Sequence, residues 1–381
     1  MSAGAGRTVR ILGTHGVPAA YGGFETAAEH VGLHLHAKGW RVVVYCQVPG
    51  SGAISTDTWR GLERVLVPEP RDGWLGTASF DLTCVRHVLA SAGPDDVCLT
   101  FGYNTGVFNT AQRLRGIPNV INMDGMEWSR RRWGLLKQGI LLANERFAGA
   151  VGTVLIADHP LIARYLSRHF GARRVQTIAY GAYAVTEAPS TPVTDLGLTP
   201  GDYATCICRP IPENSILEIA QAWASRDRGI PLVMLGSFDA GDPYHAAVLA
   251  AGGDRVLFPG AIYDPDVVTA LRFHSRLYLH GHTVGGTNPS LVEAMAAGNA
   301  VVAQNNGYNR YVAGAGNRYF DDGPDLAELL DLLVEDRPAL ATMGAFSRER
   351  YAAHYTWSHI GDLYEQALLD AAIGMRKKDH A

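Results

Sequence analysis

The residues with the clearest chemical potential lie together between positions 281 and 304, GHTVGGTNPSLVEAMAAGNAVVAQ. Gly285, Gly286 and Thr287 lead into Asn288, a type whose side chain caps helices, and Pro289, which suits the first helical position. A helix starting there aims unpaired N–H groups and a partial positive charge at whatever lies in front of it, and glycines let a ligand approach the backbone. Residues 285–290, Ser290 included, therefore form an anion seat, most suitably for a diphosphate. Glu293 follows Asn288 by five residues, about 7.5 Å along a helix axis. That is roughly the distance from a diphosphate to its ribose, where a carboxylate can accept from both hydroxyls. The plainer alternative is a capped core helix with an incidental acid.

Four other stretches carry candidate groups. In CICRPIPENSILEIAQAW, residues 206–223, Arg209 stands where strand gives way to loop, and a guanidinium can grip phosphate bidentately. An interdomain salt bridge is the alternative. In GTHGVPAAYGGFE, residues 13–25, Gly22 and Gly23 before a helix can bring backbone N–H groups against phosphate or sugar, and His15 can approach the transferred group. This loop lacks G-x-G-x-x-G, which disfavours a dehydrogenase. In INMDGMEWSRRRWG, residues 121–134, Asp124 and Glu127 follow a strand, where either could orient an acceptor hydroxyl or take its proton. Asp124 is preferred, with a loop-capping role before Gly125 as the alternative. The arginines at 130–132 suit either an acceptor phosphate or a solvated face. Tyr103 and Asn104, in TFGYNTG, are candidates for the acceptor side.

The elements that must position these groups alternate along the chain. Strands are expected at 7–13, 41–46, 97–101, 120–123, 150–156 and 175–179, with helices at 25–38, 135–147 and 161–170 among them. Residues 180–201 are rich in Gly, Pro, Thr and Ser and read as a linker. A second alternation follows, with strands at 203–208, 231–235, 255–258, 276–280 and 300–303 and helices at 213–225, 243–250, 265–273 and 289–297. Such patterns give doubly wound α/β domains with ligands at the carboxyl ends of the strands. With two sheets, the cleft between them is the expected site.

Composition narrows the class. A chain of 381 residues exceeds a typical single core, and 47% apolar with 18% charged residues describes an ordinary globular protein. A net charge of −4 supplies no positive field for nucleic acid. The N-terminus has no signal-peptide pattern and no run of about 18 apolar residues is present. A cytoplasmic protein is expected, with contact at the inner face of the cell membrane left open. Cys206-x-Cys208 lacks a second ligand pair for a metal, so buried reduced thiols are expected.

PSLVEAMAAGNAVVA resembles the donor-binding segment of glycosyltransferase family 4, whose fold is GT-B. That family usually carries two glutamates eight positions apart. The second matches Glu293 and the first falls on Gly285, so contact with the donor sugar is left to backbone amides of 285–288 or to His282. Arg209 matches the family arginine, whereas the family lysine falls near Asn214. VLFPGAIYD, residues 256–264, resembles the segment whose backbone meets the base, around Ile262. The wording GTHGVPAAYGGFET, together with VINMDGMEWSRRRW and HGHTVGGTNPSLVEAM, resembles a bacterial rhamnosyltransferase subgroup of polysaccharide assembly.

The resemblance implies two Rossmann-like domains. Residues 1–180 would form the acceptor side, joined by a returning C-terminal helix at 357–375, and 181–356 would bind the nucleotide sugar. It implies a metal-independent retaining transferase, with no cofactor, that moves a sugar to a saccharide or lipid-linked saccharide. The best guess for the donor is deoxythymidine-diphosphate rhamnose. Oligomeric state is left open by the sequence. A nucleotide-sugar epimerase and a non-catalytic nucleotide-sugar-binding subunit are the alternatives.

Overall fold

A computed structural model describes residues 4–19, 22–130 and 133–379, with side chains to residue 374. The arginines at 131 and 132 lie outside the described residues. The chain divides into two compact units, residues 4–180 with 357–379, and residues 181–356.

The first unit is built on an eight-stranded sheet. Its strands are β1 (Thr8–Leu12), β2 (Arg41–Pro49), β3 (Ser55–Trp59), β4 (Leu62–Glu69), β5 (Asp96–Phe101), β6 (Asn119–Asn122), β7 (Val154–Ala157) and β8 (Val175–Thr177). Their order is β3-β4-β2-β1-β5-β6-β7-β8, and every pairing is parallel except β3 with β4. All five residues of β1 are buried, as a central parallel strand covered on both faces requires. One face carries Val9, Ile11, Val42 and Val44 against the helices Gly23–Ala37 and Trp357–Asp379. The other carries Leu12, Val43 and Tyr45 against Phe80, Cys84 and Val88 of helix Gly73–Ser91.

The returning helix is fixed by apolar and polar contacts alike. Ile360, Tyr364, Ala367, Leu368 and Ala371 enter the core, and the Asn122 Nδ2 donates to the Tyr364 hydroxyl at 2.8 Å. The Trp40 indole donates to Glu365 at 3.0 Å.

The second unit has six parallel strands: β9 (Ala204–Ile207), β10 (Leu232–Leu235), β11 (Val256–Leu257), β12 (Leu277–His280), β13 (Val301–Gln304) and β14 (Arg318–Phe320). Their order is β11-β10-β9-β12-β13-β14. Each half of this chain thus places β1 or β9 centrally, with loops that follow the strands gathered at one end of its sheet.

Several expectations need correction. Residues 150–152 finish helix Leu135–Val151 and its cap instead of starting a strand, because Ala148 and Gly149 pack inward. The segment 180–201 is no free linker: Val193 and Leu198 are buried beside Tyr203 and Val233, and Ala182 bridges Thr356. The helix expected from 213 begins at Ile216, after a 3-10 turn at Pro212–Asn214. All five cysteines are free, and Cys208 is only partly buried. Among the described residues no helix is long and apolar enough to cross a membrane.

Candidate functional site

In the second unit the strands β9 and β12 are neighbours, so the loops leaving their carboxyl ends meet. Helix Pro289–Ala296 starts as its sequence dictates, with the Asn288 side chain accepting from the Ser290 N–H at 3.0 Å and proline at the first position. The Ser290 hydroxyl donates to the Ile207 carbonyl, at 2.9 Å, accepts from the Arg272 guanidinium and shares a hydrogen bond of 2.6 Å with the Tyr278 hydroxyl. The helix N-terminus is therefore anchored to the end of β9, two residues before Arg209.

A second brace joins the same two loops. Thr283 donates through both its N–H and its hydroxyl to the Glu213 carbonyl, each at 2.9 Å. A Cβ at Gly281 would collide with the Asn214 carbonyl oxygen, so only glycine permits this approach. Asn214 itself is buried and donates to the Arg209 carbonyl at 2.8 Å. Where a second cation was sought, the chain has a turn-bracing amide.

Arg209 is exposed at this junction. Among the described residues no side chain pairs with its guanidinium, which leaves its charge available to an anion. Gly285 has φ +128°, a conformation that strains any residue with a Cβ, although the space around it is open. The acid that the resemblance places at 285 is thus disfavoured by the backbone conformation and not by crowding. Gly286 is partly buried, Thr287 is buried, and the His282 carbonyl accepts from Asn306 and Asn309, each at 2.9 Å. The His282 ring stacks on buried His280 with centroids 4.3 Å apart. Burial and the neighbouring His282 hold His280 far below the ordinary histidine range, hence neutral.

Glu293 is less buried than its apolar surroundings in the sequence suggest. Its side chain is 39% exposed and pairs with Arg272 at 2.6 Å. Arg272, which the sequence reading overlooked, is buried on helix Pro265–Phe273 and reaches both Glu293 and Ser290. It holds the carboxylate in place and leaves one side open. Ile262 packs partly against Val193, Tyr203 and Leu235.

In the first unit a cavity of about 300 Å³ opens at the carboxyl ends of β1, β2 and β5. His15, Gly22 and Gly23 line it, with Glu25, Asp81 and Asn104. Buried Glu25 accepts from the His15 N–H at 2.9 Å and from its Nδ1 at 3.0 Å. The hydrogen bond to Glu25 raises the His15 pKa above its ordinary value. Burial alone would raise Glu25, but the His15 hydrogen bonds outweigh it and hold the acid low. Asp81 accepts from the Thr105 hydroxyl at 2.7 Å, and burial pushes its pKa up to about 6. Glu25 and Asp81 were not singled out from sequence. Their signals, an acid in a first helical turn and an acid on an apolar helix, occur too often in ordinary helices to stand out.

Tyr103 does not line this cavity. It is 2% exposed, and its hydroxyl donates to the Gly125 carbonyl at 3.1 Å and accepts from the Glu127 N–H at 2.8 Å. It is a strut under the 121–130 loop. Glu127 is tied to Arg130 at 2.5 Å and to the Trp133 indole at 3.1 Å, so Arg130 is no free phosphate ligand either. Asp124 has φ +51°, with its N–H donating to the Asn122 side chain at 3.0 Å.

Comparison with known proteins places these units. Residues 211–350 match the model of the family described as glycosyl transferases group 1. Residues 6–183 match a domain of unknown function, DUF1972. No curated protein matches the sequence. Among solved structures, sucrose-phosphate synthase from Thermosynechococcus elongatus is similar over 94% of this chain and 98% of its own, with 19% identity and a TM-score of 0.76. HepE of Anabaena, in complex with UDP and glucose, covers 95% and 99% with 17% identity and a TM-score of 0.71. A trehalose-phosphate synthase from Burkholderia xenovorans, in complex with glucose-6-phosphate, covers 95% and 100% with 12% identity and a TM-score of 0.74. The fold is GT-B. The chain carries a glycosyl transferase group 1 domain and is a glycosyltransferase.

Proposed function

We propose that this glycosyltransferase moves a sugar from a nucleoside diphosphate sugar to a saccharide hydroxyl, with the donor seated in the second unit. The observation that carries this reading is the unpartnered Arg209 guanidinium beside a helix N-terminus anchored through Ser290 to the end of β9. An exposed cation and the positive end of a helix dipole converge there behind a glycine-containing loop, which suits a diphosphate. Glu293, steadied by Arg272, takes the ribose hydroxyls. The UDP and glucose held by HepE support a donor of this type.

In this reading residues 285–288 and His282 meet the sugar through backbone groups and the imidazole, since glycine replaces an acid. The cavity around His15 and Asn104 takes the acceptor, and Asp124 orients its hydroxyl. The diphosphate oxygen that leaves the anomeric carbon accepts the acceptor's proton as the new bond forms on the same face, which retains configuration. Rhamnose from a deoxythymidine-diphosphate donor is the first sugar to try, on the motif wording alone, in assembly of a bacterial polysaccharide at the inner face of the cell membrane. The acid missing at Gly285 and the amide at Asn214 favour, as a second reading, a subunit that binds nucleotide sugar without transfer.

Calorimetry tests the donor seat. Arg209→Ala should weaken binding of both nucleoside diphosphates and inorganic pyrophosphate by at least tenfold. Glu293→Gln should weaken nucleoside diphosphates about tenfold, near 1.4 kcal/mol, and leave pyrophosphate unchanged. Unaltered affinity in both variants, with the fold intact, rejects the assignment. Transfer to saccharide acceptors, with only slow donor hydrolysis in their absence, separates a transferase from a binding subunit and from an epimerase.

A further inference from the structure

A groove of about 770 Å³ runs along the first unit beside the start of helix Leu135–Val151. Trp74, Val107, Leu136, Ile140 and Leu141 line it. Trp74 is 70% and Leu136 81% exposed, and Leu135 next to it is 87% exposed. Apolar side chains clustered at such exposure are uncommon on a surface that meets only water.

The groove is continuous with the polar cavity of the same unit, because Thr77, Asn104 and Thr105 line both. One end of this combined trough therefore offers His15, Glu25 and Asp81, and the other a hydrocarbon wall. Lys137 lines the groove as well, its ammonium 3.3 Å from the centroid of the Trp133 ring. A ligand that uses the whole trough has a polar head and an apolar chain, with Lys137 offering a cation to an anionic group on it.

We propose that the groove seats the hydrocarbon chain of an acceptor whose sugar is joined to it through phosphate. This rests on the reading of the first unit as the acceptor side. The continuity with the polar cavity favours one chain lying lengthwise over a second copy of the protein, which would have no use for the shared Thr77, Asn104 and Thr105. A flat membrane surface is disfavoured by the concave shape and by the engagement of Arg130 with Glu127. The same apolar contacts suit an isoprenoid and an acyl chain, and two probes distinguish them.

The full-length protein is titrated with farnesyl phosphate and with dodecyl phosphate by calorimetry below their aggregation limits, with methyl phosphate as the control. One saturable site is expected for at least one lipid, the tighter probe identifies the chain type, and methyl phosphate should bind at least tenfold more weakly. Leu136→Glu and Ile140→Glu place a carboxylate in the apolar wall at exposed positions where folding tolerates it. Each should weaken the lipid at least tenfold, with thermal midpoint and nucleoside diphosphate affinity unchanged. No saturable binding, or equal affinity in both variants, overturns the proposal. So does a dimer in sedimentation that these variants dissolve, or vesicle binding that they abolish when neither single lipid binds. Loss of nucleotide binding in the wild-type protein would instead count against the donor seat, so the two readings fail separately.

Discussion

The Ser290 hydroxyl and the Ile207 carbonyl, 2.9 Å apart, couple the first turn of the donor-side helix to the last residue of β9. This bond, together with the Thr283–Glu213 brace, holds the helix start in place relative to Arg209. Ser290→Ala should cost about 1 kcal/mol of stability in urea denaturation. It should also weaken nucleoside diphosphate binding about tenfold. A stability loss with unchanged affinity would mean that the bond supports the fold without setting the site.

The His15–Glu25 pair gives a titration signature. Its His15 pKa is raised by the hydrogen bond to Glu25, so in Glu25→Gln it should fall toward the ordinary value of about 6.5, read by NMR. The sign for stability follows from both partners. The histidine contribution is complete below about pH 6.5 and vanishes as pH rises through the raised folded value. The glutamate contribution is present above its unfolded pKa of about 4.5 and vanishes as pH falls through the lowered folded value. Wild type and variant should therefore differ most between about pH 5 and 6.5.

Asp81 acts in the opposite sense. Its carboxyl, raised to about 6, prefers the proton in the folded state, so folding loses stability as pH rises from about 4 toward 7. Asp81→Asn should stabilise the protein at pH 8 by roughly 1 kcal/mol, reduced by water in the cavity, and hardly at pH 4. Equal effects at both pH values would mean that the acid is not held neutral by its surroundings.

Tyr103 is predicted to matter for the fold and not for catalysis. Tyr103→Phe removes one partner each from the Gly125 carbonyl and the Glu127 N–H, which still bond to one another at 2.9 Å, at a cost of about 1 kcal/mol. With transfer measured well below the melting range, kcat and KM should stay within twofold. A fall in kcat with stability preserved would return Tyr103 to the acceptor site.

The sequence carried the helix starting at Pro289 in full, because Asn288 and Pro289 are strong local signals and the cap is a local structure. The strands β1, β2 and β5 were likewise legible as apolar runs. No strand was read between residues 47 and 96, where β3 and β4 form a hairpin. The STDTW of β3 is exposed and polar, so no apolar alternation marks it. Helix Gly73–Ser91 escaped with it, and Asp81 with the helix. Arg272 lies 21 residues before Glu293, and Glu25 faces His15 from ten residues on. Such pairings depend on how strands are ordered, which no local pattern encodes.

Helix Trp357–Asp379 gives synthesis of this chain a particular timetable. Residues 4–180 emerge before residues 181–356, yet Ile360, Tyr364, Leu368 and Ala371, which complete the layer over Val9, Ile11, Val120 and Ile156, leave the ribosome after both. The contiguous stretch 181–356 can condense as soon as it is made. The earlier-made sheet must wait with one apolar flank uncovered for some 180 residues of translation. A stop codon before Trp357 would leave that flank bare for good, and such a product would be expected to aggregate even though every residue of the donor seat is present.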